Sequence, residues 1–585
     1  MPAELPLVPS AIALAAGGLV IFLPERVRFA RGLGMVMCLL GSVLPVALDP
    51  LVDPTRAAGR ALWEWSAIGG PAVQASYDVD PLAVIALALT VAFTAAALAT
   101  AQQMQRRHPA LAGLILAVGL VTMALVVTDD LVAATVVLAV VAALTVLALL
   151  AVAPAAATAR AAGYLAVGLQ AWVLSALLIS TYGAGGYLLG DLPRGAITPS
   201  VLLAATIGGL LFSGLYPVVA WSIEKSRDAG DPGPLGSLVL MPAGIGATLL
   251  VLRLLGRSGL PAGTIALPEV APDVRLAAIV IVLLALAVTV GTSRRVPARW
   301  IVVGAVVTIL IAALPLVGWS QLVLAAAVLT AAYAGAVSLA MADQWETVRA
   351  DLGLVVLWIG IATGSPLGVA GGLVALAARA ASAIASSSWH APHREHVALV
   401  GGSAIFVAGA IAAGEGALAA PDAATRILGV VATVAVVAVE LAHLARRSPP
   451  NEVPLGLAVV SAIVAILLAT FATMVAVPIT DVVGSVVPTR QPLDAIGVSA
   501  VADIAAAAVI LARTARPLLP LLERVAARSG PAMRALDPVP IGVGAFGALG
   551  AVAERASAAF GLFEQRAGVW LATLLIVALL VWAVR

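Results

Sequence analysis

Apolar stretches of about 17–25 residues, each long enough to cross a hydrocarbon core, recur from one end of this chain to the other. They fall near 8–24, 31–48, 81–102, 109–127, 131–153, 158–181, 200–222, 235–255, 273–291, 299–317, 319–341, 351–386, 397–413, 425–445, 454–478, 497–515 and 566–584. The stretch 351–386 carries Gly364-Ser365-Pro366 in its middle. It reads either as one broken helix or as two helices joined by a tight turn. The pattern predicts an all-α polytopic membrane protein with about 17–18 transmembrane helices. Residues 1–515 form the helical core, 516–565 an amphipathic segment on the cytoplasmic side, and 566–585 a C-terminal membrane helix.

Composition explains why lipid must be the solvent. The 585 residues are 62% hydrophobic and only 11% charged. A soluble domain of this size needs roughly a quarter of its residues charged. Nothing resembles a basic stripe for nucleic acid. Cys38 stands alone in an apolar helix, which excludes a disulfide framework and a cysteine metal site. The first apolar stretch, Pro6 to Pro24, has only Glu4 before it and lacks the positive flank of a cleaved signal, so it reads as the first membrane helix.

Arginines in short connections set the expected orientation. Arg26, Arg28 and Arg31, then Arg106 and Arg107, Arg294, Arg295 and Arg299, and Arg446 and Arg447 mark one side. Asp78, Asp80, Asp129 and Asp130 mark the other. This places the N-terminus outside a cell inner (cytoplasmic) membrane, and two helices within 351–386 keep the later arginines inside. Residues 49–80 read as an external loop whose Trp63 and Trp65 anchor it at the interface. Residues Ala551 to Phe563 read as an amphipathic helix.

Three blocks carry more than hydrophobicity. Tyr77-Asp78-Val79-Asp80-Pro81-Leu82 is an acidic turn opening the third helix, and Thr128-Asp129-Asp130-Leu131 is a second one between two helices. The third runs from Leu211 through Phe212, Ser213, Gly214, Pro217 and Trp221 into a loop with Pro232 and Pro234, then a helix ending at Arg253. Gly208, Gly209, Gly214 and Pro217 weaken that span near mid-membrane. Irregular backbone at such depth is tolerated only inside protein or along a cavity, and broken helices often build ion sites in transporters. A Pro kink serving packing alone is the simpler account of the same residues.

In order and approximate spacing these blocks resemble the antiporter-like membrane subunits shared by complex I (NADH-quinone oxidoreductase), Mrp cation antiporters and membrane-bound hydrogenases. The resemblance rests on Asp80-Pro81-Leu82, Asp130-Leu131, Phe212, Pro217, Trp221, Pro232, Pro234 and Arg253, and is clearest over 77–256. It implies a non-catalytic membrane-arm subunit of an oxidoreductase complex that translocates ions, protons or monovalent cations. Other membrane subunits would be its partners, the lipid bilayer its surroundings, and it would hold no cofactor of its own. A standalone secondary transporter or permease is the alternative.

The chain also departs from that family. Family members pass protons along buried Glu, Lys and His, but Ser213 stands where the broken-helix lysine is expected, and 131–153 has no carboxylate. Lys225 is the one lysine in the whole chain. Arginine does not replace it as a relay, because guanidinium stays charged where a desolvated amine releases its proton. Arg253 and Arg379 are suited instead to be charge partners.

Ionisable groups inside apolar helices are functional candidates by default. Glu440 with His443 three residues on is either a proton-exchange pair or a helix-end anchor. Asp503, Asp130 and Ser213 complete the ion-path candidates, with Gly214, Pro217 and Trp221 forming the helix break. His390, His393 and His396 beside Glu395 have metal-like spacing, but Pro392 interrupts the helix that would align them, so a solvated loop is expected and no metal.

Overall fold

The computed structural model describes residues 6–21, 28–51, 60–66, 72–101, 110–152, 155–182, 186–215, 235–267, 317–340, 351–388, 392–447 and 455–486, with 501, 504–510, 520, 523–524 and 528. The chain divides into two compact units, Met1–Pro268 with Val317–Met533, and Glu269–Leu316 with Arg534–Arg585. All described residues belong to the first. The helices expected near 273–291, 299–317 and 566–584, and nearly all of 516–565, lie outside the described residues.

The helices are α1 (Leu7–Ile21), α2 (Arg28–Leu48), α3 (Pro81–Ala101), α4 (Leu111–Val127), α5 (Leu131–Leu150), α6 (Ala155–Thr181) and α7 (Pro199–Phe212). After them come α8 (Leu235–Ser258), α9 (Trp319–Ala340), α10 (Asp351–Thr363), α11 (Pro366–Ser388), α12 (Pro392–Leu418), α13 (Ala423–Arg447) and α14 (Leu455–Val486). Among the described residues, 8 helices are long and apolar enough to cross a membrane. Apolar side chains such as Leu147, Leu177, Ile427, Leu467 and Phe471 point outward from α5, α6, α13 and α14. An apolar outer surface with hydrogen bonds closed inside each helix is stable in lipid and not in water. The chain is an all-α, multi-pass membrane protein.

One departure is a hairpin. Strands β1 (Arg60–Ser66) and β2 (Ala72–Tyr77) pair antiparallel in the region expected to be a plain external loop. Trp63 pairs with Ala75 and Trp65 with Val73 in the register of the two strands.

Helix α8 lies at the centre, buried along its whole apolar window, and packs against α3, α4, α5 and α7. Successive helices alternate in direction. One end of the bundle is tied together by Asp78 N donating to Val127 O, Leu189 N to Asp129 O, Trp319 N to Ile265 O and Gln321 Nε2 to Asp422 Oδ2. Helices starting at this end begin on a side-chain cap. Asp80 accepts from Ala83 N, Asp130 from Val132 N and Ala133 N, Thr198 from Val201 N, Ser365 from Gly368 N and Asp422 from Thr425 N. Each oxygen satisfies an amide that a helix start leaves unpaired.

The stretch 351–386 is two helices. Gly364 takes φ +64°, its N–H reaches Ile361 O, and Ser365 N reaches Gly360 O. That left-handed glycine closes α10, and Pro366 opens α11 two residues later. The two run antiparallel with backbones touching, Gly360 against Gly368 and Leu357 against Gly372. Beyond them, Gly371 of α11 touches Gly409 of α12 backbone to backbone.

Candidate functional site

Helix α7 stops inside the bundle. Gly214 N donates to Leu211 O and Leu215 N to Leu210 O, with Gly214 at φ +71°. This double bond onto the last turn ends a helix wherever glycine can take the left-handed conformation. From Pro199, 14 residues carry α7 about 21 Å into the bundle. At its end Trp358 Nε1 donates to Ser213 Oγ at 2.9 Å. Ser213 Oγ and Thr248 Oγ1 lie 2.9 Å apart, and Thr248 Oγ1 donates to Gly244 O at 2.7 Å. The one directional order that serves all three is Trp358 to Ser213 to Thr248 to the α8 backbone.

A second short helix meets this break. α10 runs 13 residues from Asp351 to the turn at Gly364, about 20 Å, so Asp351 and Ser213 lie at the same depth. Asp351 is buried, and a Cβ on Gly214 would lie 3.6 Å from its Oδ1. Two residues along α10, a Cβ on Gly353 would lie 3.3 Å from Cγ of Arg379. Arg379 Nη1 and Nη2 then donate to Glu440 Oε1 at 3.0 Å and Oε2 at 2.8 Å. Ser403 Oγ adds a 2.6 Å hydrogen bond to Oε1, and the guanidinium carbon stands 3.5 Å over the Phe406 ring. A line of buried polar groups therefore crosses the bundle from α7 through α10 and α11 to α12 and α13.

The line has a definite chemistry. Glu440 is fully buried and gripped at both oxygens by a group that does not release protons. The pair is a two-point, charge-assisted contact between α11 and α13. His443, one turn on, is buried beside it on α13. Asp351, Thr248, Trp358 and Ser403 escaped the sequence reading. Asp351 begins an apolar run and looks like a loop charge, and single hydroxyls or indoles inside apolar helices carry no signal of their own.

The end of the bundle tied together by the loop hydrogen bonds also holds the acidic turns. Arg253 Nε donates to Asp80 Oδ2 at 3.1 Å, and Nη1 to Thr128 O at 3.2 Å. Asp130 is fully buried: Oδ1 caps α5, and Oδ2 accepts from Gln74 N of β2 at 2.9 Å. Its carboxylate thus stitches the hairpin to the bundle. Burial pushes Asp78 up from the usual carboxylate range, and the charge of Asp80 adds to that. Asp129 is pushed up to about 6, by burial first and then by the charge of Asp78.

Pro217 and Trp221, with Lys225, lie outside the described residues, as does Asp503. The same holds for His390 and for the side chains of His393, Glu395 and His396. Among the described residues no three His, Cys, Asp or Glu stand together as a metal site.

No protein-family model and no curated protein matches the sequence. Solved structures do. A chain of respiratory complex I from Thermus thermophilus with bound NADH aligns at 18% identity over 88% of this chain and 99% of that one, with TM-score 0.42. A chain of the Mrp complex from Dietzia sp. DQ12-45-1b aligns at 15% identity over 100% of this chain, with TM-score 0.56, and this chain spans 63% of its length. The antiporter-like resemblance carried by Asp80, Asp130, Phe212 and Arg253 thus holds at the level of fold, which this chain shares with the Mrp-complex chain.

Proposed function

We propose that this chain is a membrane-arm subunit of a redox-driven, ion-translocating complex of the complex I or membrane-hydrogenase kind. It makes no chemical bonds itself. It works beside other membrane subunits, in a cytoplasmic membrane with its N-terminus outside. The buried polar line from Ser213 to Glu440 supports this reading most, because polar and ionisable groups inside an apolar membrane bundle are rare and mark functional sites by default.

The proposed ion-facing residues are Ser213, Glu440 and His443 in the interior, Asp130 at the outer end, and Asp503. Their roles differ. Arg379 grips both oxygens of Glu440, so the pair supplies a fixed field to a proton or monovalent cation moving nearby. Ser213 and Thr248 supply hydroxyls that accept and donate. A chain with Lys225 as its one lysine suits shaping and scaffolding an ion path better than serving as a complete relay.

Affinity purification in mild detergent, with mass spectrometry of what co-purifies, tests the proposal. Iron–sulfur subunits and further antiporter-like chains in stoichiometric amounts are expected. A protein that purifies alone, stable and monodisperse, would sink it.

A further inference from the structure

Two carboxylates at the outer end are not used by the buried line. Tyr77 and Thr128 face each other in an antiparallel bridge, flanked by Asp78 N donating to Val127 O and Asp129 N to Ser76 O. Alternate residues of such a pairing share a face. Asp78 and Asp129 are therefore diagonal neighbours on one face, at a spacing of about 7–8 Å between backbones. Gly190 leaves room beside Asp129, since a Cβ there would stand 3.5 Å from Oδ2.

Arg253 supplies the second observation. It is only 7% exposed, its Nε is on Asp80 and its Nη1 on Thr128 O. Its Nη2, also buried, has no hydrogen-bond partner among the described residues. That nitrogen sits between the two engaged ones, so it faces the space between the acidic turns. A buried charged donor without an acceptor is costly enough to mark a place for a water.

We propose that Asp78 and Asp129 share one exchangeable proton at the outer mouth, carried on a water that Arg253 Nη2 anchors. A proton passes from a hydronium ion in the outer medium to a carboxylate oxygen of the pair and returns by the same route, with no other bond made or broken. The surrounding charges fit. Asp80 and Asp191 are like charges that favour protonation of Asp78 and Asp129 respectively, while Arg253 and the backbone amides of Val79 and Gly190 oppose it. Asp130 is committed to backbone donors, Arg194 packs beside Gly259, and Glu64 lies on β1 opposite Gln74. Burial and the charge of Asp78 hold Asp129 near 6. The exchange stands without any translocation; its use in moving protons across the membrane rests on the proposed function.

The test is pH-difference infrared spectroscopy on the purified full chain labelled with carbon-13 aspartate, in detergent. A protonated-carboxyl band is expected to grow as pH falls through about 6. Asp129→Asn should abolish it, and Asp78→Asn should move its midpoint to lower pH by relieving the like charge. No labelled band rising between pH 7 and 5 in the wild type would overturn the proposal, even if neither variant folds. So would a band unchanged in both variants. A titrating pair in a protein that co-purifies with no partner would leave this proposal standing while defeating the proposed function.

Discussion

Arg379 and Glu440 lie 61 residues apart in the chain and meet through two parallel hydrogen bonds of 3.0 and 2.8 Å. Removing either partner strands the other as a lone charge in an apolar interior. Arg379→Ala or Glu440→Ala should each destabilise the protein by about 3–5 kcal/mol. Replacing both with apolar residues of similar volume should be much milder. Unfolding in detergent of the two single variants and the double variant gives the coupling, and additive losses would contradict the described pair.

Ser213 accepts the indole N–H of Trp358 in the interior. Ser213→Ala leaves that donor buried without an acceptor, at a cost of about 1–3 kcal/mol. Adding Trp358→Phe removes the orphaned donor, so the double variant should lose less than the sum of the two single ones.

Gly214 and Gly364 hold φ +71° and +64° at helix ends. An L side chain there costs about 1–2 kcal/mol. Ala at either position should lower the apparent melting temperature, with Asn, which tolerates this conformation better, falling between. Equal stability of Gly364→Ala and wild type would argue against the turn that divides α10 from α11.

Asp129 binds its proton more tightly folded than unfolded, since burial lifts it from 3.8 to about 6. Between those values the folded state holds more protons, so stability from this group falls as pH rises from about 4 to 6 and is level above. Asp129→Asn should flatten that portion of the pH–stability curve and raise stability at pH 7. A wild-type curve rising through the same window with no change in the variant would contradict it.

Much of the architecture was legible because lipid imposes a length on every helix. The two acidic turns were visible as charges between apolar runs, and Gly364-Ser365-Pro366 as a helix break whose form the residues left open. Partners were another matter. Asp80 and Arg253 are 173 residues apart, and no local pattern joins them. The β1–β2 hairpin was hidden because its strands are short and lie in a region read as loop. Asp351 was hidden because the depth of a helix start depends on neighbours, here the early stop of α7.

The bare backbone meeting of Gly371 with Gly409 has a mechanical consequence. Helices separated by side chains can slip as those side chains change rotamer, but two main chains in direct touch have no such bearing surface. With α10 and α11 meeting likewise at Gly360 and Gly368, any side chain larger than hydrogen at these four glycines must push two helices apart.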